Sequence, residues 1–197
     1  HPTNIGIREV ADKSILIPTA HDEPQFHLDG YSQLFSLPKF IMYNTEIEKD
    51  FVESVYPQAQ KLKSEIAGIG FDDYDAASGE LPKDLYQTKY FIYIGRIVED
   101  KGCVMMIEYF KDFKEKHPEY RDVKLVLVGK NSLEEKITQG DDIILTGFVD
   151  HDLKNALLEN ASALIMPSFY ESLSLITLEA MLLKIPIIVN KNCEVLY

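Results

Sequence analysis

Two glutamates interrupt an otherwise apolar and small-residue run, SFYESLSLITLEAMLLK, which occupies residues 168–184. Seven residues separate Glu171 from Glu179, and the composition of the run predicts a helix. Eight helical residues rise about 12 Å, close to the distance from a sugar, across a diphosphate, to a ribose. One carboxylate could hold sugar hydroxyls and the other ribose hydroxyls. The alternative is that Glu171 caps the helix and Glu179 is solvated.

Two cations lie near the end of a second apolar run, KYFIYIGRI, which occupies residues 89–97. Arg96 is the next-to-last residue of this run, and Lys101 with Gly102 opens the helix-like segment after it. A strand, a short loop and a helix N-terminus together form a common anion site. Arginine can bind a diphosphate through two hydrogen bonds, and lysine adds a point charge. The pattern therefore predicts a diphosphate site, with two solvated loop charges as the alternative.

Strands and helices alternate along the second half of the chain, and they must position these groups. Apolar runs predict strands at 89–97, 123–130, 142–149, 162–168 and 186–190, and helical periodicity predicts helices at 102–117, 132–139, 150–161 and 168–184. Asp150 is a plausible N-cap of the third of these helices. Continuous apolar strands in this alternation predict a Rossmann-like α/β fold, a parallel sheet covered on both faces. Ligands bind such sheets at the loops that follow the strands.

The first third of the chain has a weaker pattern. It predicts strands at 13–20, 39–45 and 63–71 and a helix at 45–56. An acidic, turn-rich stretch follows and predicts a domain boundary near residue 72. The expected organisation is the C-terminal part of one Rossmann-like domain over 1–72, a linker over 73–88 and a second domain, truncated at its C-terminus, over 89–197.

Composition narrows the class of protein. The net charge of −12 argues against nucleic acid as a partner, and 46% hydrophobic residues permit a sizeable core. Cys103 and Cys193 are the only cysteines, so we expect no disulfide framework and a reducing, cytoplasmic setting. No apolar run has the length of a membrane span. The chain lacks an initiator Met, which suggests a fragment of a longer protein.

Several segments together resemble the donor-binding domain of a GT-B, family 4 (group 1) retaining glycosyltransferase: FIYIGRIVEDKG, KLVLVGK, ILTGFVDHDLKNALLENASALIMPSFYESLSLITLEAM and PIIV. The Glu–seven–Glu spacing is the signature of that family, and the resemblance covers residues 13–190, most strongly 90–190. It implies transfer of a hexose from a nucleotide-diphosphate sugar to an acceptor hydroxyl with retention, without a metal or other cofactor. The acceptor would be a glycan, a lipid or a small molecule.

The resemblance also implies roles for individual residues. Arg96 and Lys101, beside Gly95, would neutralise the diphosphate. Glu171 would contact the donor sugar without attacking it, and Glu179 would bind the ribose hydroxyls. Further substrate contacts are implied for the base at residues 147–149 and for sugar and phosphate at the following amides: Val149, Ser172, Leu173, Ser174 and Leu175.

The first third carries part of the same resemblance. SILIPTAHDE resembles the family's strand that ends in a histidine, so His21 is implied to reach the donor sugar. A structural hydrogen bond is the alternative role for this residue. Ser172 and Ser174 stand where the family usually has glycines, which affects the expected sugar more than the fold. We therefore take Glu171 and His21 as the candidate catalytic residues.

Other functions are weighed against this one. A dinucleotide-dependent oxidoreductase needs a glycine-rich turn after the first strand, and GRIVEDKG lacks it. A related phosphorylase, a nucleotide-sugar epimerase and a non-catalytic sugar-nucleotide binding module stay open, although the presence of both Glu171 and His21 favours catalysis. Asp73 and Asp75 have the spacing of a metal-binding pair, but their acidic, turn-rich context predicts solvated charge. We expect no metal site.

Overall fold

The computed structural model of the protein describes residues 2–70 and 79–197. The chain divides into two compact units: a first unit of residues 1–72 with 170–173, and a second unit of residues 73–169 with 174–197. Asp73 and Asp75 lie outside the described residues, as does the stretch 73–78 of the predicted linker. The rest of that linker contains a 3-10 turn, Lys83–Leu85.

The described part of the first unit contains a small parallel sheet. Its strands are β1 (Ile15–Leu16), β2 (Phe40–Tyr43) and β3 (Lys63–Ile66), in that order across the sheet, and its helices are α1 (Pro2–Gly6) and α2 (Glu46–Val55). The strand predicted over 13–20 is wrong beyond Leu16. Pro18 lacks a backbone N–H, and Thr19 has a left-handed φ of 49°, so neither continues a ladder. The strand predicted over 63–71 ends at Ile66, shortly before Gly68 with its φ of 62°.

The second unit is built on a five-stranded sheet within its described residues. The strands are β4 (Tyr90–Ile94), β5 (Lys124–Val128), β6 (Ile143–Gly147), β7 (Ala163–Met166) and β8 (Ile187–Val189), and the helices are α3 (Cys103–Lys116), α4 (His151–Glu159) and α5 (Leu175–Leu182). The strand order is β6-β5-β4-β7-β8, and every pair is parallel. The predicted parallel α/β fold is confirmed.

Alternate side chains of the sheet enter two separate cores. Leu125 and Leu127 of β5 pack with the apolar side of α3, whereas Val126 between them packs with α4 and α5. This alternation follows from the period of two residues along a strand. Both faces of the second sheet are therefore covered, as the continuous apolar strands predict.

The helix predicted over 132–139 is wrong. The segment contains a single turn, in which the Ile137 N–H donates to the Leu133 carbonyl at 2.7 Å. The Asn131 side chain accepts from the Leu133 N–H and donates to the Ile137 carbonyl. Asparagine thus supplies local hydrogen bonds that compete with a continuing helix. The buried Ile137 anchors the turn in the core beneath α3.

Candidate functional site

The second sheet reverses its strand order at β4, with β5 on one side and β7 on the other. In open parallel sheets ligands bind outside the carboxyl ends of the strands at such a switch point. Gly95 and Arg96 follow β4 directly, and Pro167 follows β7. These two loops are therefore the first place to look for a ligand site in this unit.

Gly102 lets the two loops approach each other. Its φ is +72°, and a Cβ atom there would lie 2.5 Å from the Pro167 carbonyl oxygen. Any other residue would be strained by its backbone and would push the loop after β7 away. Because α3 begins at the next residue, Cys103, the unpaired N–H groups of its first turn lie at this edge of the sheet.

The loop between β4 and α3 carries both predicted phosphate ligands. Arg96 is exposed, and its carbonyl accepts a hydrogen bond from the Tyr93 hydroxyl at 2.7 Å, which fixes the backbone at the strand end. Lys101 is half-buried and ends a 3-10 turn that leads into Gly102. The loop thus combines two cations with the start of a 14-residue helix. This arrangement can bind a dianionic group.

A thiol at the start of α3 does not contribute a nucleophile. Cys103 is fully buried, and burial raises its pKa above the ordinary thiol value despite a hydrogen bond from Tyr93 and the nearby charge of Lys101. A thiol held in its neutral form is a poor nucleophile and a poor metal ligand. Its role is packing in the core under α3.

The glutamate run is helical only in its second half. The helix predicted over 168–184 is wrong for residues 168–174, because α5 begins at Leu175. The estimate of about 12 Å between Glu171 and Glu179 therefore does not apply, since it assumes eight helical residues. Ser174, at the N-cap, accepts a hydrogen bond from the Thr177 hydroxyl at 2.7 Å, and its side chain makes no cap bond to the backbone. Serine is favoured at caps and turns over the interior of a helix, which is consistent with a start after Ser174.

The segment 170–173, which contains Glu171, Ser172 and Leu173, belongs to the first unit. Within that unit the Tyr170 ring centroid lies 6.3 Å from the ring of His21. His21 is half-buried. Its Nε2 lies 3.6 Å from the Glu23 carboxylate, and its buried Nδ1 has no hydrogen-bond partner among the described residues. Both candidate catalytic residues are thus found in the same unit, on segments that meet.

Glu179 forms an ion pair that the sequence analysis missed. Its Oε2 lies 2.5 Å from Nζ of Lys154, with 23% and 18% of the two side chains exposed. Lys154 lies on α4, whose predicted cap is confirmed, because the Asp150 carboxylate accepts from the Leu153 N–H at 2.8 Å. The charge of Lys154 was visible in the sequence. The identity of its partner depends on how α4 and α5 pack together, and no local sequence pattern predicts that packing.

The loop before α4 holds the last predicted contact. Val149 is half-buried and precedes Asp150, and the neighbouring Phe148 is 91% exposed. Across the sheet, the hydroxyl of Ser168 after β7 is buried without a hydrogen-bond partner in the described part of the chain. The loop after β6 and the loop after β7 thus offer an apolar surface and an unsatisfied polar group, respectively.

Residues 2–70 and 79–197 contain no helix long and apolar enough to cross a membrane. The same ranges contain no group of three or more His, Cys, Asp or Glu side chains arranged to hold a metal ion.

Sequence comparison finds one matching family profile, glycosyl transferases group 1, over residues 82–196. An uncharacterized glycosyltransferase of Methanocaldococcus jannaschii is 26% identical over 178 residues, which is 84% of this chain and 42% of that protein. The alpha-D-kanosaminyltransferase of Streptomyces kanamyceticus is 28% identical over 139 residues, 61% of this chain and 35% of that protein. The chain therefore spans less than half the length of these relatives.

Solved structures show the same fold at low identity. The trehalose-6-phosphate synthase of Burkholderia multivorans superimposes with a TM-score of 0.71 at 12% identity, over 98% of this chain and 56% of that one. The pneumococcal O-GlcNAc transferase in complex with UDP and GlcNAc gives a TM-score of 0.69 at 17% identity, over 95% of this chain and 39% of that one. The fold is thus one that solved glycosyltransferases share.

Proposed function

The chain belongs to the group 1 glycosyl transferases, whose profile covers residues 82–196, and on that premise we propose that the whole protein moves a hexose from a nucleotide-diphosphate sugar to an acceptor hydroxyl. The observation that carries this proposal is the loop between β4 and α3. It presents Arg96 and Lys101 directly before the N-terminus of α3, at the switch point of the sheet. A diphosphate is the group that such a loop binds best.

The chemistry of transfer explains why cations belong there. When the bond between the sugar and the phosphate breaks, negative charge grows on the departing nucleoside diphosphate. Preorganised cations and helix N–H groups stabilise that charge in the transition state more than in the ground state. Arg96 and Lys101 fill this role together with the first turn of α3, and we propose that the reaction therefore proceeds without a metal ion.

The remaining predicted residues divide the donor between them. We assign Glu179 to the ribose, because a carboxylate accepts hydrogen bonds from its hydroxyls. We assign Val149 to the base. Glu171 and His21 are assigned to the sugar, where they position and stabilise it without forming a covalent bond. We further propose that the anomeric configuration is retained, by attack on the same face of the sugar. Glycan, lipid and small-molecule acceptors all fit the proposal.

Because the chain has only two cysteines, Cys103 and Cys193, and both are buried, we also propose a reducing, cytoplasmic setting.

The proposal is tested on the full-length protein. Calorimetric titration with ADP, GDP, UDP and dTDP identifies the nucleotide, and release of that diphosphate from its sugar conjugates measures turnover. Arg96→Ala and Lys101→Ala should each lower turnover by roughly 10²-fold, as expected for a lost transition-state contact. Arg121→Ala and Lys116→Ala, both exposed and outside the loop, are the matched controls. Adding EDTA should leave the rate unchanged.

Three results would contradict the proposal or part of it. Binding of none of the four diphosphates would reject the nucleotide site altogether. Binding without turnover of any sugar conjugate would instead support the non-catalytic binding module. Near-normal turnover in both Arg96→Ala and Lys101→Ala would show that this loop does not bind the diphosphate.

A further inference from the structure

A buried carboxylate fastens two loops of the first unit. Glu48 of α2 is 1% exposed, and both of its oxygens accept backbone hydrogen bonds. Oε1 accepts from the Ala20 N–H at 2.5 Å, and Oε2 accepts from the Asn44 N–H at 2.6 Å. Ala20 lies in the loop after β1, and Asn44 directly follows β2. One side chain therefore holds the carboxyl ends of two neighbouring parallel strands.

Helix capping does not account for this arrangement. Thr45 is the N-cap of α2, and its hydroxyl accepts from the Glu48 N–H at 3.0 Å, which is half of a capping box. In a complete box the Glu48 carboxylate would return to the N–H of Thr45. It reaches the preceding residue instead, and its second oxygen crosses to another strand. Its hydrogen bonds serve the loops rather than the helix end.

The loop that Glu48 holds is strained. Thr19 has a φ of 49°, which is rare for a β-branched residue. Such conformations persist where the surroundings over-determine them, and they cluster at functional sites. Burial also raises the pKa of Glu48 against the effect of its backbone hydrogen bonds, so the carboxylate itself is held at a cost. The strained backbone of Thr19 and the buried carboxylate that binds the Ala20 N–H thus lie on either side of the peptide bond between Thr19 and Ala20.

The next residue after that peptide is His21. Its ring packs near Tyr170 within the first unit, and its buried Nδ1 has no partner among residues 2–70 and 79–197. Within the described residues, no hydrogen bond at Nδ1 therefore fixes the orientation of the ring. The backbone must supply part of that definition, through the hydrogen bond from the Ala20 N–H to Glu48 and the one from the Glu23 N–H to the His21 carbonyl at 2.8 Å.

We propose that Glu48 is a positioning residue for His21: by binding the N–H groups of Ala20 and Asn44, it holds the loop after β1 in the strained form that directs the imidazole. This inference rests on the proposed function, in which His21 contacts the donor sugar. Glu48 itself is assigned no contact with the substrate. It acts on His21 mainly through the backbone, and the two side chains also interact electrostatically.

The first test separates turnover from nucleotide binding in the full-length protein. Glu48→Gln keeps the shape of the side chain, but its NH₂ group cannot accept from an N–H. We expect kcat for diphosphate release from the nucleotide sugar to fall at least about 10-fold, whereas the Kd of the bare nucleoside diphosphate changes less than about 2-fold. Glu46→Gln, on the exposed side of the same helix, is the matched control. Equal losses in kcat and in diphosphate affinity would overturn the proposal.

A double-mutant cycle distinguishes positioning from a general structural role. If Glu48 acts through His21, then Glu48→Gln should cost less than about 2-fold in kcat once His21→Ala is present. If the loss of kcat in the double variant equalled the product of the two single losses, the proposal would be overturned. Full activity of His21→Ala would overturn it as well. Neither result touches the glycosyltransferase function, which fails only if the wild-type protein turns over no nucleotide sugar.

Thr19→Gly provides a second, independent variant in case Glu48→Gln folds poorly. Glycine adopts a positive φ without strain, so the loop should depend less on Glu48. We expect Glu48→Gln to lower kcat less in the Thr19→Gly background than in the wild type, with a higher melting temperature for the double variant than for Glu48→Gln alone. An undiminished loss of kcat would show that strain at Thr19 is not what Glu48 opposes.

Discussion

Two glutamates, one in each unit, are held in opposite ways. Glu48 is 1% exposed and is bound at both oxygens by backbone N–H groups. The Glu179 side chain is 23% exposed, and one of its oxygens is bound by the ammonium of Lys154. A carboxylate that accepts hydrogen bonds from buried backbone amides cannot release them without leaving those amides unpaired. A carboxylate paired with one partly exposed lysine can exchange that partner for a ligand hydroxyl at a smaller cost.

The difference matches the two roles proposed for them. In its proposed role, Glu48 shapes the path of a loop, so its hydrogen bonds should stay constant during turnover. In its proposed role as the ribose ligand, Glu179 must be reachable and its partner must be able to move. The following predictions test this contrast, beginning with the largest expected effect.

Removal of the backbone-bound carboxylate should be costly. Glu48→Ala leaves the N–H groups of Ala20 and Asn44 without their acceptor, and we expect the free energy of unfolding to fall by about 2–4 kcal/mol. Urea unfolding of the full-length protein measures the loss, and faster hydrogen exchange at those two amides locates it. Glu46→Ala should change stability by less than about 0.5 kcal/mol. A similarly small change for Glu48→Ala would refute the distinction between the two glutamates.

The same carboxylate should give stability an unusual pH dependence. Burial raises the pKa of folded Glu48 above the ordinary value of 4.5, so the folded protein binds the proton more tightly than the unfolded chain. The contribution of Glu48 to the free energy of unfolding is therefore largest below pH 4.5 and declines as the pH rises through the raised pKa. The stability advantage of the wild type over Glu48→Gln should narrow across that range. A constant difference in urea midpoints would show that Glu48 does not titrate in this way.

Asp142 of the second unit should give the opposite pH dependence of stability. Burial alone would raise its pKa, but hydrogen bonds from Lys114 and Lys124 outweigh burial and hold it below the ordinary value of 3.8. Its contribution to stability is present above that value and is lost as the pH falls through the lowered pKa. Relative to Asp142→Asn, the advantage of the wild type should therefore shrink on acidification, the reverse of the trend for Glu48.

The helix that carries Lys154 should depend moderately on its cap. Asp150→Ala removes the acceptor for the Leu153 N–H and should lower stability by about 1 kcal/mol. Asp152→Asn, an exposed change in the same first turn, should cost only a few tenths of a kcal/mol. Thermal unfolding compares the two variants, and equal effects would mean that the cap adds nothing beyond its charge.

The ion pair itself should matter less for stability than for the ligand. Lys154→Met should lower the free energy of unfolding by about 1 kcal/mol, more than for an exposed pair and less than for a fully buried one, since 18% and 23% of the two side chains are exposed. It should also reduce the preference for a ribonucleoside diphosphate over its 2′-deoxy form, because Glu179 loses the partner that orients it. Calorimetric titration of both forms measures the preference, with the exposed Lys184→Met as control. An unchanged preference would separate Lys154 from the ribose site.

Much of the fold was readable from short-range pattern. Runs such as KLVLV and ALIM predict buried parallel strands because both faces of the sheet are covered. The cap at Asp150 and the start of a helix at Lys101 and Gly102 were also local signals. The two wrong helix predictions show the limit of periodicity. The Asn131 side chain supplies local hydrogen bonds that compete with a helix over 132–139, and α5 begins only after Ser174 although the apolar spacing extends further back.

By itself the sequence determined the alternation of strands and helices, the parallel sheet and the family, since these depend on residue type and on spacing along a few turns of chain. Only the tertiary structure decided the partners of Glu48 and Glu179. Along the chain Ala20 lies 28 positions from Glu48, and Lys154 lies 25 positions from Glu179. The tertiary structure also decided that Thr19 adopts a left-handed conformation and that α5 begins at Leu175. Local propensities do not encode such contacts, which arise when elements distant in sequence are packed against one another.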